Sequence, residues 1–310
     1  MKILVTGAFG FAGRHLLAHL QSMGDQIVCT YLGAEATAPG SYQTVELNIA
    51  DLNRCVTALS EVRPEAIINL AGIAFAPDTD RDFNLALNVN VGGVYNLCKA
   101  IEELKLKTKL VTVSSSEVYG RIGAQDLPVT EDCPVKPYNN YGLSKYLSEM
   151  TVRRFERVEA VIVRAFNHIG PGQRSDFVVS NFARQLAAIA AGKAAPVMKV
   201  GNLDVGRDFT DVRDIVRGYR LAAVRGAGIY NFCSGKSVAV KDILAQLIAI
   251  SGLKIDVQID PARVRPAEIP VLYGSFAKAQ RELDWTPEYT DLRTTLNDVY
   301  QYWRAIESSA

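Results

Sequence analysis

Short apolar runs and longer stretches of helical period alternate along this chain from its second residue. Ile3–Thr6, Gln26–Thr30, Val45–Leu47, Ala66–Ala71, Leu110–Ser114 and Ala160–Phe166 are short and lack polar alternation. That is the pattern of strands covered on both faces of a parallel sheet. Between them, Gly10–Met23, Leu52–Arg63, Asp80–Leu104 and Tyr141–Arg157 read as helices. Strand then helix, repeated, predicts βαβ units and a doubly wound α/β sheet.

The rhythm loosens after Asn167. A Gly/Pro-rich turn at Gly170–Gly172 precedes a helix near Phe177–Ala191 and a strand near Val197–Val200. Asp211–Val224 reads as a helix, and Gly228–Cys233 as a buried strand able to rejoin the sheet. Helix, strand (Lys254–Ile259), an Arg/Pro-rich turn and two closing helices follow from Val240. The expected division is residues 1–167 with about 211–235 as one domain. A smaller, interleaved α/β domain takes about 168–210 with 236–310.

Composition narrows the function. Lys plus Arg is 34 and Asp plus Glu 33 in 310 residues, a net charge of +1. That excludes a strongly basic nucleic-acid binder. The five cysteines are scattered without a CxxC pair, and the three histidines have no metal-ligand spacing. No apolar run reaches membrane-spanning length, and the N-terminus lacks a signal-peptide layout. A reduced, soluble, cytoplasmic protein without metal, membrane or nucleic-acid partner is expected.

The first strand runs directly into Thr6-Gly7-Ala8-Phe9-Gly10-Phe11-Ala12-Gly13 and a helix. Gly7, Gly10 and Gly13 suit a tight turn, close approach of a pyrophosphate, and close helix–strand packing. The helix N-terminus adds N–H groups and partial positive charge. This predicts a dinucleotide site, with Phe9 and Phe11 in its turn. The second strand ends near Tyr31 without the acid that grips an NAD ribose. Arg14 stands where a 2′-phosphate would be met, so NADP is favoured over NAD. Asn48 and Ile49, after the third strand, are placed to meet the adenine.

Two YxxxK pairs occur, Tyr95/Lys99 and Tyr141/Lys145. Tyr95 sits amid Val91, Val94 and Leu97 and is expected to pack. Tyr141 opens a helix after the turn Pro137–Asn140, downstream of a strand ending in Ser114-Ser115-Ser116. A Tyr hydroxyl can protonate an alkoxide; its ordinary pKa is about 10. A Lys one helical turn away shares its face, and its charge, with that of an oxidised nicotinamide, is expected to lower that pKa. A Ser hydroxyl would polarise the carbonyl oxygen.

TGxxGFxG, a strand ending in Ser, and YxxxK, in that order, resemble the extended short-chain dehydrogenase/reductase family over the whole chain. The resemblance implies a Rossmann fold, NADP or NAD as cofactor, and Ser115, Tyr141 and Lys145 as catalytic residues. It adds Asn90, from Asn88-Val89-Asn90-Val91-Gly92-Gly93, to the catalytic set. It also places Leu70, Ala71 and Gly72 along the cofactor. The family usually pairs two helices per subunit. That implies a homodimer through Asp80–Leu104 and Tyr141–Arg157.

The second half is similar to the GDP-mannose-modifying branch of that family. The similarity lies in Arg164–Gln173, Val200–Asp204, Arg207–Asp211 and Arg265–Glu268. It implies a GDP-linked deoxysugar substrate held by Ser115, Ser116, Glu117, Asn167, Val178, Lys199, Arg207, Arg265 and Glu268. Arginines gathered in loops agree with diphosphate binding. The implied reaction is NAD(P)H-dependent reduction of the 4-keto group of GDP-4-keto-6-deoxy-D-mannose to GDP-D-rhamnose. Reduction to the talose epimer and 4,6-dehydration of GDP-mannose are alternatives, as is a dinucleotide-sensing regulator without turnover. The dehydration would use Glu117. The short, Arg-free Tyr31–Val45 stretch favours reduction over dehydration.

Overall fold

The computed structural model describes residues 1–33, 42–264 and 269–309. Six strands follow in order: β1 (Lys2–Thr6), β2 (Gln26–Tyr31), β3 (Gln43–Glu46), β4 (Ala66–Asn69), β5 (Lys109–Ser115) and β6 (Ala160–Ala165). Short strands β7 (Asn167–Ile169), β8 (Val197–Val200), β9 (Gly206–Arg207) and β10 (Phe209–Asp211) precede β11 (Gly228–Phe232). The last three are β12 (Val238–Ala239), β13 (Asp256–Ile259) and β14 (Val271–Leu272). The main sheet runs β3-β2-β1-β4-β5-β6-β11, all parallel. This is the doubly wound Rossmann order, with its switch point between β1 and β4. Gly228–Phe232 does rejoin the sheet, beside β6.

Helices cover both faces. On one side α1 (Phe11–Ser22), α8 (Val212–Arg225) and α10 (Ala277–Leu283) bury Leu16, Leu20, Ile215 and Tyr219 against Ile3, Val5 and Val163. On the other, α2 (Leu52–Val62), α5 (Gly93–Glu103) and α6 (Asn140–Arg153) close over Leu4, Val28, Ile67 and Leu110. A third core joins α7 (Val178–Ala190), α9 (Val240–Ser251) and α11 (Leu292–Ser309) around Phe182, Leu186, Leu247 and Leu296.

Three expectations are corrected. Asp80–Leu104 is not one helix. It breaks into α3 (Ala76–Arg81), α4 (Phe83–Leu87), a π-helical turn Asn88–Gly92 and α5. Asp82 leaves helical geometry and caps α4 through the Leu85 N–H. The third strand is mostly exposed rather than covered, because β3 is the sheet's edge. Tyr95 does not pack inward: it is 46% exposed and meets only the edge of Phe155, 5.5 Å between centroids.

A buried ion pair fastens α6 to the sheet. Arg164 of β6 donates from Nε and Nη2 to the two Glu149 oxygens, at 2.9 and 2.7 Å, and both side chains are almost completely buried. Ser114 of β5 donates to the same carboxylate. Removing one partner strands a charge inside the protein. Glu149→Ala should therefore cost about 3–5 kcal/mol of stability by urea denaturation. Glu149→Leu combined with Arg164→Met should recover most of that loss.

Candidate active site

The glycine turn forms at the switch point. Thr6 donates to Asn69 Oδ1 across β1 and β4, and the Ala71 N–H reaches back to Thr6 Oγ1 at 3.1 Å. Gly7 turns the chain at φ +63°, and a Cβ there would lie 2.8 Å from the Ala71 nitrogen. A Cβ on Gly13 would lie 2.3 Å from the Ala8 carbonyl oxygen, so α1 can seat on the turn only without a side chain. Gly10 is exposed and begins α1 with no side-chain cap on the helix's first N–H groups. That open, uncapped helix start is a cradle fitted to a diphosphate.

Phe9 and Phe11 are half-buried in this turn, and exposed Arg14 donates from Nε to the Phe9 carbonyl at 3.0 Å. Tyr31 ends β2, half-buried. Asn48 is exposed, its side chain accepting the Ala50 N–H at 3.0 Å. Ile49 lies inside the core, and its carbonyl accepts from Asn96 Nδ2. Leu70 and Ala71 are half-buried on the far wall, and Gly72 is exposed there.

That wall leads to the second cluster. A Cβ on Gly72 would fall 2.8 Å from Asn90 Oδ1 and 3.5 Å from Lys145 Nζ. Asn90, in the π turn, is buried. It accepts from the Ile73 N–H at 2.8 Å and donates to the Ile73 carbonyl and to Ser144 Oγ, at 3.1 and 3.0 Å. Such turns mark functional sites often enough to note. Lys145 Nζ donates to the Val113 carbonyl at 3.0 Å and stands 5.9 Å from the centre of the Tyr141 ring. Ser115, at the end of β5, stands near enough to the Tyr141 phenol to lower its pKa. Tyr95 and Lys99 stand apart, and Lys99 pairs with Glu102 and Glu103 on the surface of α5.

The electrostatics of the protein alone are set by burial. Burial pushes the Tyr141 phenol up to about 12; the nearby Ser115 hydroxyl pulls it down, and the Glu117 charge pushes it further up. Burial also pushes the Lys145 ammonium down to about 8. Desolvation of both groups outweighs the lowering expected from a Lys one turn away. Tyr141 is thus firmly protonated at neutral pH, the form a proton donor needs.

Beyond this set, Asn139 caps α6 through the Gly142 N–H at 2.7 Å and donates to Glu117 Oε2 at 3.0 Å. This holds the carboxylate beside Tyr141. Arg207 Nη1 donates to the Gly206 and Ile269 carbonyls at 2.9 and 2.7 Å. Its charge also reaches the phenol of Tyr138. Ser116 is buried, whereas Asn167, Val178 and Lys199 are exposed. Arg265 and Glu268 lie outside the described residues, as does part of Tyr31–Val45. Sequence reasoning missed Asn139, Ser144 and Glu149. Glu149 stands four residues after Lys145 and eight after Tyr141, a spacing that could have flagged it.

A glycine turn at a switch point, with serine, tyrosine and lysine gathered across the same sheet edge, defines the extended short-chain dehydrogenase/reductase class. Within that class, the sequence profile of the family described as GDP-mannose 4,6 dehydratase matches residues 4–298, and the chain belongs to this family. It is 33% identical over 309 residues to GDP-6-deoxy-D-mannose reductase of Pseudomonas aeruginosa, covering 98% of this chain and 97% of that protein. It is 30% identical over 311 residues to GDP-6-deoxy-D-talose 4-dehydrogenase of Aggregatibacter actinomycetemcomitans, covering 97% of each. The solved structure of RMD from Pseudomonas aeruginosa, complexed with NADPH, superimposes with a TM-score of 0.86 at 29% identity. That match covers 99% of this chain and 100% of the other.

The turn's tight packing gives a direct test. Gly13→Ala must push α1 off the Ala8 carbonyl and should weaken NADPH binding, measured by calorimetry, roughly tenfold or more, equivalent to about 1.4 kcal/mol.

Proposed function

We propose that this protein is an NAD(P)H-dependent nucleotide-sugar oxidoreductase that reduces the 4-keto group of GDP-4-keto-6-deoxy-D-mannose to GDP-D-rhamnose. The observation that carries this reading is the placement of Ser115, Tyr141 and Lys145 beside the glycine turn. Similarity to a GDP-6-deoxy-D-mannose reductase over nearly the whole chain supports the substrate.

Gly7, Phe9, Gly10, Phe11, Gly13, Arg14, Tyr31, Asn48, Ile49, Leu70, Ala71 and Gly72 would hold the dinucleotide. When bound, it supplies the hydride. Ser115 donates a hydrogen bond to the ketone oxygen, and Tyr141 donates the proton that oxygen gains. Lys145 keeps a positive charge near the tyrosine and offers a hydrogen bond to a ribose hydroxyl. Asn90 fixes the Ile73 loop and Ser144 against each other, so the cofactor wall and α6 keep one spacing. Asn167, Lys199 and Arg207, with Arg265 and Glu268, would take the GDP, its diphosphate matching guanidinium donors.

In this reading residues 1–167 and about 211–235 carry the dinucleotide, and the remainder the nucleotide sugar. A homodimer through α5 and α6 is part of the proposal. The exposed Tyr95, Leu143, Leu147 and Met150 on these helices support it. A second reading, reduction to the talose epimer, is favoured by the 30% identity to a GDP-6-deoxy-D-talose 4-dehydrogenase.

With GDP-4-keto-6-deoxy-mannose the protein should oxidise one NADPH or NADH per sugar, followed by absorbance. The NMR coupling at carbon 4 then separates rhamnose from talose. Release of a 4-keto sugar from GDP-mannose without net cofactor oxidation would overturn the reductase assignment and make Glu117 the dehydration base.

Protonated Lys145 is the active form and loses its proton near pH 8, while Tyr141 stays protonated far beyond. Reduction, read as kcat/KM, should therefore be level below pH 8 and fall tenfold per unit above it. Lys145→Arg stays charged, so its residual activity should lack that bend.

A further inference from the structure

Three rings stand in a row between the glycine turn and the segment that carries Asn167. Phe11, the first residue of α1, meets the His15 ring edge-on at 5.6 Å between centroids. It faces the His168 imidazole at 5.8 Å, the two planes 5° apart. Both separations fall in the range of favourable aromatic contact. The chain beyond His168 presses on the same place. A Cβ on Gly170 would lie 3.6 Å from Phe11 Cε2 and 2.5 Å from Val212 Cγ1. His15 Nε2 donates to the Pro171 carbonyl at 2.8 Å, a second tie between helix and turn.

His168 is itself held from both sides. Its Nδ1 donates to the Phe166 carbonyl at 3.1 Å, and its own carbonyl accepts from Gln173 Nε2 at 2.9 Å. The backbone here is fixed by pairing of β7 with β10, Asn167 opposite Phe209 and His168 opposite Thr210. Asn167 precedes His168 directly and is exposed at the carboxyl edge of the sheet. His168 and Asn167 are joined by one peptide, so what holds the His168 ring also holds the backbone that presents Asn167. Phe11, in turn, belongs to the first turn of α1, where a dinucleotide diphosphate would fix the backbone.

We propose that His168 is a positioning residue that couples the two ligand sites. Stacked on Phe11, it makes the placement of Asn167 depend on the glycine turn. A dinucleotide at the turn then strengthens binding of a nucleoside diphosphate at Asn167. By holding the first turn of α1, the first ligand restrains Phe11 and the His168 ring stacked on it, so the second bears less of the cost of restraining them. The coupling is reciprocal by linkage. This inference rests on the ligand assignments made under Proposed function.

Calorimetry on the full chain, with GDP as the probe and with or without saturating NADPH, tests it. The wild type should bind GDP ~5-fold or more tightly with NADPH present. In His168→Ala that ratio should fall to about one, with NADPH affinity by itself changed less than about twofold. A merely structural role would weaken binding without changing the ratio. His168→Phe keeps a ring and loses Nδ1, and should restore the coupling. Phe11→Leu removes the stack from the opposite side and should abolish it, should His168→Ala not fold. A wild-type ratio of one, or an unchanged ratio in His168→Ala, overturns the inference and leaves the functional reading standing. Absence of GDP binding by the wild type overturns both.

Discussion

Everything at the sheet's carboxyl edge depends on two charges that are out of water together. Glu149 and Arg164 satisfy one another with two parallel hydrogen bonds, and each would be intolerable alone at that depth. Their geometry fixes the rotation of α6 about its own axis. Tyr141 and Lys145, earlier on the same helix, inherit that rotation. Ser114 shares the carboxylate, and the next residue is Ser115, so the serine and the tyrosine are located by one anchor. Arg164 also lies under the Tyr119 ring at 4.8 Å, and the Tyr119 hydroxyl donates to Asn231 of β11. The pair thus ties β5, β6, β11 and α6 into one rigid block.

What could be read from the sequence was local. The glycine turn is spelled in eight consecutive residues because its mechanism is a matter of backbone shape over that span. The covered strands follow from a few neighbours each. What could not be read depends on residues distant in the chain. Asn90 is buried because its amide bonds Ile73 and Ser144, and nothing in Asn88–Gly93 announces either partner. The same run ends in Gly92 and Gly93, which weaken a helix but do not specify a π turn. Tyr95 looked inward by its neighbours, but the sheet lies on the other side of α5. The lowered Lys145 and raised Tyr141 reflect desolvation, which spacing cannot reveal.

The arginines show the same division. In α8, Arg213 pairs with Asp211 and Asp298, Arg217 with Asp214, and Arg220 with Asp25. These pairs fasten α8 within itself, to α11 and to the turn before β2. Arg207 differs: among the described residues its guanidinium donates to the carbonyl oxygens of Gly206 and Ile269.

The order in which the strands are made has its own consequence. β11 completes the sheet beside β6, yet about 60 residues separate them in the chain. At ~5–20 residues per second, a ribosome needs several seconds to deliver that last strand. Meanwhile Ala160-Val161-Ile162-Val163 has no neighbour on the side that β11 will take, and an unpaired apolar edge is a template for another chain. Nascent chains interrupted before Gly228 would carry that edge permanently, which makes the interval between the two strands the period in which this protein most needs a chaperone.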